Sequence, residues 1–251
     1  MNQPIKLFIG TPAIDQKVNV GYTFTIFNTA KLLPNIQTNL FILSGNSCIT
    51  DARNHVATFF YHSDCDYLLF LDSDVEIDVN SIGLMLSLEK DIIGIPVAKK
   101  NFVNNKINMG NVLSIDNINN IEVAEVSGIS TSCLLLSRKV IQSFVNDSDT
   151  YESSNSDILA NNSPTMKTIF NIFKTRVEDN KFISEDYEFC NICKASYGYK
   201  IHALLTTSSN HYGTVPFSYS KQTPVVKSIY DKPKDSNTTS AKVSKIINPI
   251  I

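Results

Sequence analysis

An excess of charge of either sign is missing from this chain. Lys and Arg number 22 against 24 Asp and Glu, for a net charge of −2. That balance excludes the broad electrostatic grip of a nucleic-acid binder, so no nucleic-acid partner is expected. Long apolar runs are missing too. None approaches the roughly 18 residues that a membrane crossing requires, so no span is expected. The opening "MNQPIKLFIG" lacks the extended apolar stretch of a signal peptide, and its apolar residues read as a first strand. A disulfide framework is excluded by five scattered cysteines, an odd number, which fits a reduced, cytoplasmic protein. Cys190 and Cys193 form a single Cys-x-x-Cys, but no second pair completes a zinc set, and both fall on the inward face of a predicted helix. No internal repeat is visible. The abundance of Asn, Ile and Lys matches an AT-rich genome, bacterial or viral, and the compartment would be the host cytoplasm in the viral case. A length of 251 residues allows one large domain or two small ones.

What is present alternates. "IKLFIG" (5–10) reads as a buried strand ending at Gly10 and Pro12. Ile26, Phe27, Ala30 and Leu33 recur at helical spacing, which predicts a helix over 22–33 with that face inward and Pro34 as its stop. "NLFIL" (39–43) is a second strand. "TDARNHVATFFYH" places Ala52, Val56, Phe59 and Phe60 on one face, with Thr50 as the expected N-cap. "YLLFL" (67–71) is a third strand, followed by a helix near 79–89 and a short strand within 91–98. This βαβαβ rhythm predicts a mostly parallel sheet covered on both faces. Residues 99–120 read as a mobile, Asn-rich excursion, "IEVAEV" and "SCLLLS" as strands around a turn, and Arg138 as the start of a helix. Residues 146–165 read as a loop, "EDYEFCNICKASYG" as a helix capped at Gly198, and "KIHALL" as the closing strand. From about 217 to 251 the composition predicts a polar tail.

The third strand ends in Asp72, Ser73 and Asp74. Ligands of open α/β sheets bind outside the carboxyl ends of parallel strands. Two carboxylates at about 5 Å repel by roughly 3 kcal/mol at an effective dielectric near 20. A hard divalent ion such as Mg²⁺ or Mn²⁺, which commonly shares its coordination sphere with phosphates, offsets that cost. The bland alternative is a polar strand end in a turn. Asp64 and Asp66 repeat the spacing, but they precede the strand, at the wrong end for a ligand, and belong to a turn.

"DARNHVATFFYHSDCDYLLFLDSDVEID" resembles the nucleotide-binding half of the GT-A-fold, nucleotide-sugar-dependent glycosyltransferases (family 2-like), with an Ala-Arg-Asn helix, an apolar strand and an Asp-x-Asp motif. "VSGISTSCLLLSRKV" resembles their Gly-containing turn, strand and Arg-started helix. "FISEDYEFCNICKASYGYKIHALL" is similar to their Glu-Asp motif opening a helix, and "NHYG" to their late metal-binding His. The matches follow the family's order over residues 5 to 213. The resemblance implies a GT-A, Rossmann-like α/β/α sandwich over 1–216, with a donor half of about 1–98 and an acceptor half of about 99–216. It implies that Asp74 and His211 bind Mn²⁺ or Mg²⁺, and that Asp72 binds the metal through water or touches the donor's ribose or sugar. Arg53, Asn54 and Ser73 would lie at the nucleotide or diphosphate, and Thr11 and Pro12 at the base. Asp186, or Glu185 as second choice, would be the general base of an inverting transfer to a hydroxyl of a glycan, protein or other acceptor. The default donor is a UDP-sugar, with a GDP-sugar next.

Simpler readings stand beside these. Glu185 and Asp186 also suit the first turn of any helix. His211 and Arg53 read equally as surface residues, Lys99 and Lys100 as a solvated loop, and Gly128 as a plain turn. Two other functions compete: a haloacid-dehalogenase-type phosphatase with Asp72 as nucleophile and Asp74 as acid, and a catalytically inactive GT-A-like binding protein. The phosphatase motif normally follows the first strand, whereas two βα units come first here. A nucleotidyltransferase would want a Gly-rich, Arg-containing loop that "FIGTPAID" does not supply.

Overall fold

The computed structural model describes residues 3–100, 106–153, 167–213 and 216–220. Residues 101–105, most of the expected 146–165 loop (154–166) and the expected tail from 221 onward lie outside the described residues.

Eight strands form the central sheet, in the order β2 (Ile36–Ser44), β1 (Ile5–Ala13), β3 (Tyr67–Leu71), β8 (Cys133–Ser137), β5 (Ile92–Gly94), β13 (His202–Leu204), β7 (Ile121–Val126) and β6 (Val112–Ile118). β1 pairs in parallel with β2 and β3, and β13 with β5. β8 runs against both its neighbours, and β7 against β13 and β6. All the strands except β8 and β7 therefore point one way. The expected three-layer, Rossmann-like α/β/α sandwich with a mostly parallel sheet is the architecture found. No helix among the described residues is long and apolar enough to cross a membrane.

The two faces carry separate cores. On one, α2 (Ile49–His62), α4 (Arg138–Val145) and α5 (Glu185–Tyr197) bury Val56, Phe60, Ile141, Phe144, Phe189 and Cys193 against Phe8, Leu68 and Phe70. On the other, α1 (Val20–Leu32) and α3 (Val79–Ser87) bury Tyr22, Ile82 and Met85 against Ile9, Leu69 and Leu71. Strand alternation divides β3 between the cores: Leu68 and Phe70 face one, Leu69 and Leu71 the other. Each such side chain contributes about 2 kcal/mol by leaving water. Gly10 lets α2 approach β1 closely, because a Cβ there would lie 2.1 Å from Val56 Cγ1.

Several local expectations are corrected. β1 continues through Ala13, so Thr11 and Pro12 lie in a strand. α1 turns a partly different face inward: Gly21, Tyr22, Thr25 and Thr29 are buried, and of the four expected residues Ile26 and Leu33 pack against the core while Phe27, 60% exposed, and Ala30 face solvent. The reason is hydrogen bonding across the interface. Thr25 Oγ1 donates to the Ile77 carbonyl and accepts from the Ile77 amide, and Tyr22 OH meets Thr11 Oγ1 at 2.7 Å. Thr50 lies inside α2, whose N-cap is Cys48. The Asn-rich 99–120 segment contains β6, an edge strand exposed along its length. Part of the 146–165 loop pairs as β9 (Thr150–Glu152) with β10 (Thr168–Phe170). The tail's first residues are strand as well: β14 (Ser208–Tyr212) pairs on one side with β15 (Pro216–Ser220) and on the other with β4 (Val75–Ile77). A two-strand hairpin, β11 (Arg176–Glu178) and β12 (Lys181–Ile183), leads into α5.

As read from the sequence, Cys190 and Cys193 are buried core residues and the five cysteines are free thiols. Burial raises the Cys190 thiol to about 11 and pushes Cys193 well above its ordinary value. Gly198 caps α5 at φ +69°, the left-handed region that glycine adopts without strain.

Candidate functional site

Sheet topology fixes where a ligand would sit. From β1 the chain crosses by α1 to β2, then returns by α2 to β3 on the other side of β1. The connections diverge at the carboxyl ends of β1 and β3, the place where open α/β sheets bind their ligands. Asp72 follows β3 directly. Its amide donates to the Ser132 carbonyl (3.0 Å), and its carbonyl accepts from the Val75 amide (3.0 Å). The turn 127–132 thus meets the strand end at the same edge. The N-terminal halves of α2 and α5 reach this edge too, because each helix runs back toward the amino end of the strand that follows it.

Arg53, in the second turn of α2, joins these pieces. Nη2 lies 3.1 Å from Asp72 Oδ1 and 3.4 Å from Oδ2, and Nε lies 3.4 Å from Glu185 Oε1. The Arg53 side chain is only 4% exposed, and its guanidinium carbon lies 5.5 Å from the Phe70 ring centroid. Nη1 is buried with no hydrogen-bond partner among the described residues. A buried guanidinium nitrogen without a partner is costly, which singles out Nη1 as an unspent donor among the described residues. The hydroxyls of Ser130 and Thr131, in the turn tied to Asp72, are also buried without partners among the described residues. Sequence reasoning weighed only Gly128 in that turn. The Ser-Thr-Ser run was its visible signal.

Asp74 sits in a second group. Pairing of β4 with β14 sets His211 opposite Val75, so His211 Nε2 lies 3.4 Å from Asp74 Oδ1. His211 Nδ1 lies 2.8 Å from the Ala98 carbonyl. A carbonyl only accepts, so Nδ1 carries a proton, and Nε2 is the nitrogen turned to Asp74. Lys100 Nζ donates to Asp74 Oδ2. Burial alone would raise the Asp74 carboxyl, but the bonds and charges of His211 and Lys100 outweigh it, and the group titrates below its ordinary value.

The cost of the twin aspartates is therefore already offset by the protein's own cations, Arg53 on Asp72 and Lys100 on Asp74. This corrects the inference that their mutual repulsion demands a metal. It also corrects the reading of Lys100 as a solvated loop residue. Among the described residues, no group of three His, Cys, Asp or Glu side chains forms a metal cluster. Asp74 and His211 do fit as a pair of protein ligands. One carboxylate oxygen and one imidazole nitrogen face each other, and the nitrogen's opposite ring partner is fixed by a backbone carbonyl. Asp72 turns to Arg53 and is not brought to that pair.

The remaining expected residues fall as follows. Asp186 Oδ1 accepts from Ser184 Oγ and from the Tyr187 amide (2.8 Å). Glu185 belongs to Arg53. Asn54 is a clamp: its Oδ1 accepts from the Ile172 amide (3.0 Å) and the Phe173 amide (2.6 Å), and its Nδ2 donates to the Phe173 carbonyl (3.2 Å). It holds the 171–173 segment and leaves its amide little capacity for a diphosphate. Thr11 is fully buried against Tyr22, so its side chain lines no open pocket, while Pro12 beside it is half-buried. Ser73 accepts the Asn19 amide at its carbonyl (2.8 Å). Asp64 and Asp66 bind Lys6 side chain and amide, which agrees with their assignment to a turn.

No protein-family model matches the chain. No curated protein matches it. Among solved structures, the chain is similar to TarS of S. aureus (residues 1–349) in complex with UDP-GlcNAc. Identity is 13% over 80% of this chain and 56% of that one, at a TM-score of 0.40. TarS with UDP matches at 13% identity over 62% and 53%, with a TM-score of 0.34. A Bacillus anthracis protein assigned as a glucose-1-phosphate thymidylyltransferase, in complex with sucrose, matches at 8% identity over 57% and 74%, with a TM-score of 0.34. The chain spans about half the length of the TarS chains it matches.

Proposed function

We propose that this chain is a GT-A-type glycosyltransferase that moves a sugar from a nucleotide diphosphate sugar to an acceptor hydroxyl. The observation that carries the reading is convergence. Residues from four separate segments gather at the carboxyl edge of the sheet in two groups, Arg53 of α2 with Asp72 and Glu185 of α5, and Asp74 with His211 of β14.

In this reading the leaving diphosphate gains negative charge as the glycosidic bond breaks. A divalent ion, Mn²⁺ or Mg²⁺, supplies charge stabilisation when bound. Asp74 and His211 would hold it, with phosphate and water completing the shell. Arg53 orients Asp72, and its free Nη1 offers a further donor to an anionic ligand. Glu185 is a positioning residue, because its carboxylate is spent on Arg53. Asp186 is then the general base for inversion: its two hydrogen bonds among the described residues fall on Oδ1, and Oδ2 is the oxygen that would take the acceptor proton. The donor is a UDP-sugar by default or a GDP-sugar, and the acceptor is a glycan, protein or other hydroxyl.

The phosphatase reading is disfavoured by Arg53, which pins both oxygens of the would-be nucleophile Asp72. The test is incubation with a panel of nucleotide sugars and Mn²⁺, read for nucleoside diphosphate release. Release that disappears in Asp186→Asn with donor binding kept supports the proposal. Phosphate release from simple monoesters would replace it with the phosphatase, and inertness in both assays with the binding protein.

A further inference from the structure

Neither the motif nor the resemblance assigns Lys100 a role in the site, and it occupies a telling position. Its ammonium sits on Asp74 Oδ2 while His211 Nε2 faces Oδ1 of the same carboxylate. Asp74 is thus covered on both oxygens. The arrangement is built by backbone. The Lys99 amide donates to the Lys106 carbonyl (2.7 Å), the Asn108 amide to the Val97 carbonyl (2.8 Å), and the Ala98 carbonyl meets His211 Nδ1. Gly213 leaves room for the lysine's methylenes: a Cβ there would lie 3.3 Å from Lys100 Cδ.

We propose that Lys100 is a tethered cation that holds Asp74 beside His211 and competes with a divalent ion for that position. The inference rests on the proposed role of Asp74 and His211 as the cation site. A hard divalent ion needs the carboxylate oxygen that Lys100 now holds. Both partners of this ion pair are more than one-third exposed. Pairs of that kind are weak, so a doubly charged ion displaces the ammonium without disturbing the fold. Until it does, the single charge of Lys100 both fills a ligand position and repels the incoming cation. Arg53 plays no part in the exchange, because it is committed to Asp72 and Glu185.

The experiment is Mn²⁺ binding to the nucleotide-free full chain, followed by electron paramagnetic resonance of free Mn²⁺. Lys100→Met should bind Mn²⁺ roughly tenfold more tightly than the unaltered chain, the order expected for removing one positive charge a few ångströms from a divalent ion. Lys100→Arg, which keeps the charge, should show no comparable gain. Adding Asp74→Asn to Lys100→Met should abolish the gain. An unchanged affinity in Lys100→Met, a gain that survives Asp74→Asn, or no measurable Mn²⁺ binding in any variant would overturn the proposal. Nucleotide binding is measured separately, so a chain that binds Mn²⁺ as described but no nucleotide would refute the proposed function and leave the Lys100 exchange standing.

Discussion

Arg53 carries the most consequential charge in the molecule. It lies almost wholly out of water between Asp72 and Glu185, each of which keeps some solvent contact. Removing one partner of a buried ion pair costs about 3–5 kcal/mol, and partial exposure of the carboxylates lowers that. Arg53→Met is therefore expected to lose about 2–3 kcal/mol in urea unfolding and to weaken nucleotide binding as well. A variant of unchanged stability would mean that the two carboxylates do not depend on it. His202 gives a second residue-scale prediction. Burial is the main cause that holds its imidazole below the usual value, while Nδ1 donates to the Ile92 carbonyl at 3.2 Å. The unfolded chain takes up a proton near pH 6.5 and the folded chain resists it. The unfolded state then binds more protons at lower pH, so this contribution to stability is complete above about pH 6.5 and is lost as pH falls below it. Tm should drop more steeply from pH 7 to 5 in the natural chain than in His202→Asn, which keeps a donor for Ile92. Equal slopes would contradict the assignment.

At the scale of elements, two contacts hold α2 where the site needs it. Arg138 opens α4, as its place before an apolar helical stretch suggested, but its guanidinium reaches across to the end of α2. It donates to the carbonyls of Phe60 (3.2 Å), Tyr61 (3.1 Å), Ser63 (2.9 Å) and Cys65 (2.6 Å). Phe60 and Tyr61 lie in the last turn of α2, where carbonyls lack partners further along the helix, and Ser63 and Cys65 lie in the turn that follows it. Arg138→Met should cost roughly 2–3 kcal/mol in denaturant unfolding, the scale of hydrogen bonds to a charged group. Gly10 makes the second contact. Gly10→Ala forces a methyl into Val56 and should cost about 1–3 kcal/mol by overpacking. A Gly10→Ala chain as stable as its parent would show that α2 can slide, and the position of Arg53 would then lose its explanation.

Across the whole molecule, local pattern and long-range pairing divided what could be read in advance. Tyr67–Leu71 announced a buried strand by five apolar residues, and the helix after Ser184 by its spacing and Gly198. Both are found, within a residue or two. The inward face of α1 was not fully legible because it is lined by Thr25, Thr29 and Tyr22, whose hydroxyls are satisfied by the Ile77 backbone 52 positions from Thr25, by the Thr25 carbonyl and by Thr11 on the neighbouring strand. The β4–β14 pairing that brings His211 to Asp74 joins residues more than 130 positions apart, and no periodicity signals it. The family resemblance named His211 from order alone. Lys100 was read as a solvated loop residue because one lysine in a polar stretch looks like any other, and only the pairing between 97–99 and 106–108 sets it beside Asp74.

Titration calorimetry of UDP and of GDP into this chain, with and without Mn²⁺, tests the central claim most directly. The account predicts binding of at least one of them that strengthens with Mn²⁺, and loss of that strengthening in both Asp74→Asn and His211→Ala. Binding with the same Mn²⁺ dependence in those variants, or no binding of either nucleotide to the natural chain, would contradict it.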